Sequence, residues 1–198
     1  MNQRIGILSG TFDPIHDGHV QFALQAITKA QLDRVYLMVE RSPRRKQGIK
    51  AFEHRQAMVQ LALDDEPMIG SIITDQDRFT AQETLPILQN RFAGADLVLL
   101  MGDDMLAHLN EWPHVETLLA SVEFVIGVRN NMAEAEARLQ NIQETRSITF
   151  AYQLFESQKD TVSSSMMRQK IRANTTPRHL HPEVVAYIQQ EGLYASED

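Results

Sequence analysis

The run Leu97-Val98-Leu99-Leu100-Met101 places five apolar side chains in succession, so a strand formed by it needs cover on both faces. Strands of that kind belong to parallel sheets sandwiched between helices, whereas half-solvated antiparallel strands alternate apolar and polar residues. Similar short runs recur along the 198 residues, separated by longer stretches with apolar residues at helical spacing. The pattern predicts strands over Ile5 to Ser9, Arg34 to Val39, Ile69 to Thr74, Asp96 to Met101, Val122 to Val128 and Ile148 to Phe155. It predicts helices over Gly18 to Ala30, Glu53 to Leu63, Ala81 to Phe92, Met105 to Leu109, His114 to Ala120, Ala133 to Ile142, Ser164 to Arg172 and Pro182 to Gln190. Such alternation implies an α/β doubly wound parallel sheet, with ligands held beyond the carboxyl ends of the strands. The length and the 43% hydrophobic content fit one domain over residues 1–198, with a helical C-terminal part about 163–195.

The residues that follow the apolar runs are therefore the places to look for chemistry. After Ile5-Gly6-Ile7-Leu8 comes Gly10-Thr11-Phe12-Asp13-Pro14-Ile15-His16-Asp17-Gly18-His19, which sets two histidines at a strand-to-helix junction. Free amides and the positive end of the helix dipole attract anions there. Imidazoles near their ordinary pKa of about 6.5 can donate to phosphoryl oxygens. Gly18 lets the backbone approach a ligand, and Asp13-Pro14 sets a turn. A zinc site is the competing reading, but it needs further donors and the chain has no cysteine.

Three other clusters carry polar groups. Gly102-Asp103-Asp104 follows the Leu97 to Met101 run, where a carboxylate can hold a ribose hydroxyl or help organise a metal-bound nucleotide; Asp104 can equally cap a helix. Trp112, the only tryptophan, can stack on a heteroaromatic ring or simply pack. Ser163-Ser164-Ser165-Met166-Met167-Arg168 opens a helix with hydroxyls at its cap and a guanidinium one turn along, a second candidate phosphate site.

Charge bounds the partners. A net charge of −7 argues against a nucleic-acid footprint, which needs a basic face. Within that acidic chain Arg41, Arg44, Arg45, Lys46 and Lys50 crowd into ten residues and read as a phosphate grip or as a solvated loop. No apolar run approaches the roughly 18 residues of a membrane span, and no basic-then-apolar leader opens the chain. The expectation is a cytoplasmic protein without disulfides, free of nucleic acid and membrane, with a homo-oligomer left open.

Taken together, these motifs resemble the nicotinate/nicotinamide mononucleotide adenylyltransferase family, within the nucleotidyltransferases that carry a His-x-x-His or Thr-x-x-His signature. The resemblance rests on Gly10 to His19, on Gly102-x-Asp104 followed by Leu109 and Trp112, on Val162 to Arg168 (Ser165 standing for the family's threonine), and on the stretch from Val185 through Tyr187 to Gly192-Leu193-Tyr194. It implies transfer of AMP from ATP to a pyridine mononucleotide, with Mg²⁺ and release of pyrophosphate, in NAD biosynthesis.

The resemblance also implies roles for individual residues. His16, His19, Lys46 and Arg168 would form the catalytic set around the ATP phosphates. Gly10, Thr11, Phe12, Gly18, Gly102, Asp104, Ser164 and Ser165 would bind the nucleotide, and Arg45, Thr80, Thr84 and Trp112 the acceptor. All of these polar groups would converge around a single triphosphate at the mouth of the sheet. Two stretches depart from the family pattern: Pro43-Arg44-Arg45-Lys46 stands for Pro-Pro-His-Lys, and Arg78-Phe79-Thr80 for Ser-Tyr-Thr. Both fall on the acceptor side, where Arg44 or Arg45 could make bidentate hydrogen bonds to a phosphate or carboxylate. The alternatives are a nucleotidyltransferase for phosphopantetheine or a cytidylyl acceptor, and a nucleotide-binding regulator without turnover.

Overall fold

Six strands lie parallel in the order β3-β2-β1-β4-β5-β6 in a computed structural model that describes residues 2–44, 46–157, 162–175 and 177–195. They are β1 (Arg4–Gly10), β2 (Arg34–Val39), β3 (Ile69–Ile72), β4 (Asp96–Gly102), β5 (Glu123–Val128) and β6 (Tyr152–Glu156). The helices are α1 (Asp17–Ala30), α2 (Phe52–Ala62), α3 (Thr84–Arg91), α4 (Asp103–Leu109), α5 (Val115–Ser121), α6 (Met132–Arg146), α7 (Ser164–Arg172) and α8 (Pro182–Gln190). The order reverses direction between β1 and β4, the switch point at which doubly wound sheets open a crevice.

The strand pleat explains the doubly apolar runs. Leu97, Leu99 and Met101 of β4 pack with Leu85 and Leu88 of α3 and Leu106 and Leu109 of α4, while Val98 and Leu100 turn to the other face. There they meet Val20, Ala23 and Ala26 of α1, Met58 and Val59 of α2, and Val184 and Ile188 of α8. The C-terminal helices thus belong to one of the two main apolar layers. No helix among the described residues is long and apolar enough to cross a membrane.

Several element boundaries differ from the sequence expectation, and two elements start three residues or more late. Helix α3 begins at Thr84 and not at Ala81, because Thr84 Oγ1 donates to the Arg78 carbonyl (2.8 Å) and accepts from the Thr80 amide (3.0 Å), holding residues 80–83 as a turn. Strand β6 begins at Tyr152 and not at Ile148, because α6 runs on to Arg146 and the Ile148 amide returns to the Gln143 carbonyl (3.1 Å) past a left-handed Ser147.

Candidate active site

The signature loop leaves β1 at Gly10 and enters α1 at Asp17, with His16 as N-cap in extended backbone and His19 in the first turn. Phe12 is left-handed (φ 49°) and buried, and its ring meets His19 edge-on at 5.0 Å. The two imidazoles stack at 3.8 Å, and the His16 amide donates to His19 Nδ1 (3.2 Å). A nitrogen that accepts carries no proton, so neutral His19 is held as the Nε2–H tautomer. His16 Nδ1 is buried without a hydrogen-bond partner.

Burial overturns the expectation that these histidines titrate near their ordinary value. Desolvation, then the neighbouring His179, lowers His16 to about 4. Desolvation, then His16, holds His19 well below 6.5. At neutral pH both are uncharged, so each offers a directed N–H and no positive charge.

Asp13 organises the rest of the loop. Its carboxylate is 2% exposed; Oδ1 accepts from Tyr194 Oη (2.6 Å) and from the Lys50 amide (3.3 Å), and Oδ2 lies 3.7 Å from an Arg168 guanidinium nitrogen. Burial and the bond to Asp13 raise the pKa of the Tyr194 hydroxyl, so it stays protonated and donating. Helix α7 docks on the same turn: Ser164 Oγ donates to the Pro14 carbonyl (2.9 Å) and Arg168 Nη1 to the Asp13 carbonyl (2.7 Å). Ser163 caps the helix by accepting from the Met166 amide, and Ser165 is exposed.

Beside this loop, at the carboxyl ends of the central strands, lies a cavity of 440 Å³. Gly10 and Thr11 form one wall; Lys46, Thr80, Gly102 and Trp112 line it as well, together with Glu40, Arg44 and Arg78. Its volume suits a small ligand with an aromatic ring and anionic groups. Gly10 allows a close approach here, since a Cβ at that position would come within 2.9 Å of the Phe12 ring.

The polar groups expected around one triphosphate do not all line this cavity. His16, His19, Ser164, Ser165 and Arg168 do not line it; His16, His19, Ser164 and Arg168 cluster about the Asp13–Pro14 turn, and Gly18 lies in the first turn of α1. The two groups adjoin through Gly10 and Thr11. Thr84 is fully buried beneath the 78–83 turn, its hydroxyl consumed by backbone, so it shapes that turn from below. Asp104 does not cap α4, whose N-cap is Gly102; its carboxylate pairs with Arg129 (2.9 Å) on a neighbouring 280 Å³ pocket.

The basic loop divides in the same way. Arg41 donates to the Thr74 carbonyl (3.3 Å) and covers the Phe52 ring, and Lys50 sits over Tyr194. Only Arg44 and Lys46 of that cluster line the cavity, while Arg45 lies outside the described residues.

Several residues of this region escaped sequence reasoning. Arg55 is completely buried, and its guanidinium donates to the carbonyls of Lys50 (2.8 Å), Thr11 (2.8 Å), Glu40 (2.7 Å) and Arg41 (3.0 Å). Desolvation lowers its pKa, opposed first by Asp13. Nothing in the local pattern of α2 marks it except a charge on the buried stripe beside Met58 and Val59. Among the described residues no three His, Asp or Glu side chains group closely enough to cage a metal ion.

Comparison with known proteins decides the family. Residues 7–170 match the cytidylyltransferase-like family. Over 98% of its length the chain is 31% identical to a probable nicotinate-nucleotide adenylyltransferase of Enterococcus faecalis, of which it covers 86%. The chain belongs to the nicotinate-nucleotide adenylyltransferases. It is also 28% identical to the nicotinate-nucleotide adenylyltransferase of Bacillus subtilis, covering 98% of this chain and all of that one. The nicotinic acid mononucleotide adenylyltransferase of Plasmodium falciparum complexed with NaAD superposes with a TM-score of 0.79 at 19% identity, covering 98% of each chain, which shows the shared fold. As an adenylyltransferase of this family the chain is a nucleotidyltransferase, and the crevice at the β1/β4 switch point lies where that fold holds its ligand.

Proposed function

We propose that this chain transfers the adenylyl group of ATP to nicotinate mononucleotide, acting as one nucleotidyltransferase domain. An oxygen of the acceptor phosphate attacks the α-phosphorus in line, the bond to the β-phosphate oxygen breaks, and pyrophosphate leaves. Such transfers depend on positioning and on neutralising charge spread over equatorial oxygens, so no covalent enzyme intermediate is needed.

In this reading the neutral Nε2–H of His19 donates to a phosphate oxygen, and His16 Nδ1, buried without a partner, gains one. Gly10, Thr11, Phe12 and Gly18 shape the phosphate loop, and Ser164 and Arg168 bring the α7 start, with Ser165 in its first turn, against it. Lys46 faces the pyrophosphate from the cavity side. Gly102 and Asp104 attend the nucleoside, and Trp112, Thr80 and Arg45 the acceptor. Mg²⁺ bound with the triphosphate supplies further charge neutralisation.

The observation that carries this reading is a cavity that joins Trp112 and the cations Arg44, Lys46 and Arg78 to the backbone of the signature loop. Arg44 and Arg78, the two of these cations not given to the pyrophosphate, favour an acceptor with a carboxylate besides its phosphate, in agreement with the relatives' names. The net charge of −7 supports work on small nucleotides, away from nucleic acid, and the reading places the chain in the cytoplasm, where such nucleotides are made. Pyrophosphate release measured with ATP or CTP against nicotinate mononucleotide, nicotinamide mononucleotide and phosphopantetheine is the test. ATP with nicotinate mononucleotide should give the fastest release; release only with CTP or phosphopantetheine would replace this reading, and nucleotide binding with no release on any pair would favour a regulator.

A further inference from the structure

One wall of the cavity is the turn that precedes α3, and residues 78–83 line it without a break. Thr84 holds that turn from its far end, through Arg78 and Thr80 backbone. At its near end the Phe79 amide donates to Glu40 Oε1 (3.2 Å), an oxygen that also accepts from Ser9 Oγ (3.1 Å). Glu40 is anchored in turn by its own backbone: its amide donates to the Gly10 carbonyl (3.0 Å) and its carbonyl accepts from buried Arg55 (2.7 Å). One residue at the end of β2 therefore ties the signature strand on one side of the cavity to the acceptor turn on the other.

We infer that Glu40 is a positioning residue which latches the 78–83 turn over the cavity and so sets acceptor binding through the oxygen it offers the Phe79 amide. This rests on the proposed acceptor site. What the latch needs is an acceptor atom at Oε1, and an amide oxygen serves nearly as well as a carboxylate one. A carboxylate touching substrate directly, among Arg44, Lys46 and Arg78, would instead depend on its charge.

The test compares wild type, Glu40→Ala and Glu40→Gln by steady-state kinetics and by amide hydrogen exchange over residues 78–83. In Glu40→Ala the turn should exchange faster and the KM for nicotinate mononucleotide should rise about tenfold, roughly what losing one or two net hydrogen bonds costs, with the KM for ATP unchanged. Glu40→Gln should restore both readouts most of the way to wild type. Unchanged exchange in Glu40→Ala, equal rises in both KM values, or a Glu40→Gln variant as impaired as Glu40→Ala would each overturn the inference. Wild type that turns over no pyridine mononucleotide would remove the functional reading alone, since exchange at Phe79 still decides whether the latch exists.

Discussion

His19 accepts a hydrogen bond at Nδ1 from the backbone of His16, and that single contact fixes which nitrogen carries its proton. Preorganised donors of this kind stabilise developing charge without reorganising during the reaction, and removing one typically costs two to three powers of ten in rate. Replacing His19 by Ala should therefore lower kcat at least about a hundredfold in the pyrophosphate-release assay; an unchanged kcat would exclude it from the phosphate site. The neutrality of His16 has its own check, because its pKa is pushed down to about 4 by burial and by His179. Imidazole NMR shifts followed from pH 8 downward should show no transition for His16 near 6.5 and a midpoint near 4. These residues were legible in the sequence as a spaced pair after a strand, but their protonation was not, since it is set by desolvation.

Helix α7 shows how an element carries function by where its cap sits. Ser163 accepts from the Met166 amide, and the next residues dock on the Asp13–Pro14 turn. Substituting Ser163 by Ala removes the cap and should cost about 1 kcal/mol in urea unfolding. The KM for ATP should rise with it if docking of the helix start serves the phosphates. Elements with strong local periodicity were readable: α7 and α8 have the expected limits, whereas α3 starts three residues late. Ala81 continues the apolar period of Leu85 and Leu88, all three being buried, so spacing alone extends the helix backward. The Thr84 hydroxyl, by capturing backbone on both sides of Phe79, converts that last turn into the wall of the cavity.

At the scale of the molecule the sheet has an apolar layer on each face, and the signature loop is closed from above by a residue 181 positions away, Tyr194 on Asp13. Holding two desolvated, neutral histidines in that loop makes stability depend on pH. Below pH 6.5 the unfolded chain binds protons that the folded one refuses, so stability is full above about 6.5 and falls as pH drops toward about 4. Urea midpoints at pH 7.5 and 5 should show the loss, and His19→Gln, which removes one of the buried imidazoles, should make it smaller; equal midpoints in wild type would contradict the neutral pair.

The sequence by itself determined the fold class and the strand-to-helix position of the two histidines. Both follow from local periodicity, namely strand runs apolar on both faces and two histidines at a fixed distance past the first of them. Only the tertiary structure decided which cations reach the cavity, how Glu40 and Arg55 tie β1, β2 and the 78–83 turn together, and that the histidines are neutral. Those depend on burial and on hydrogen bonds such as Phe79 to Glu40, 39 residues apart, for which no spacing along a chain provides a signal.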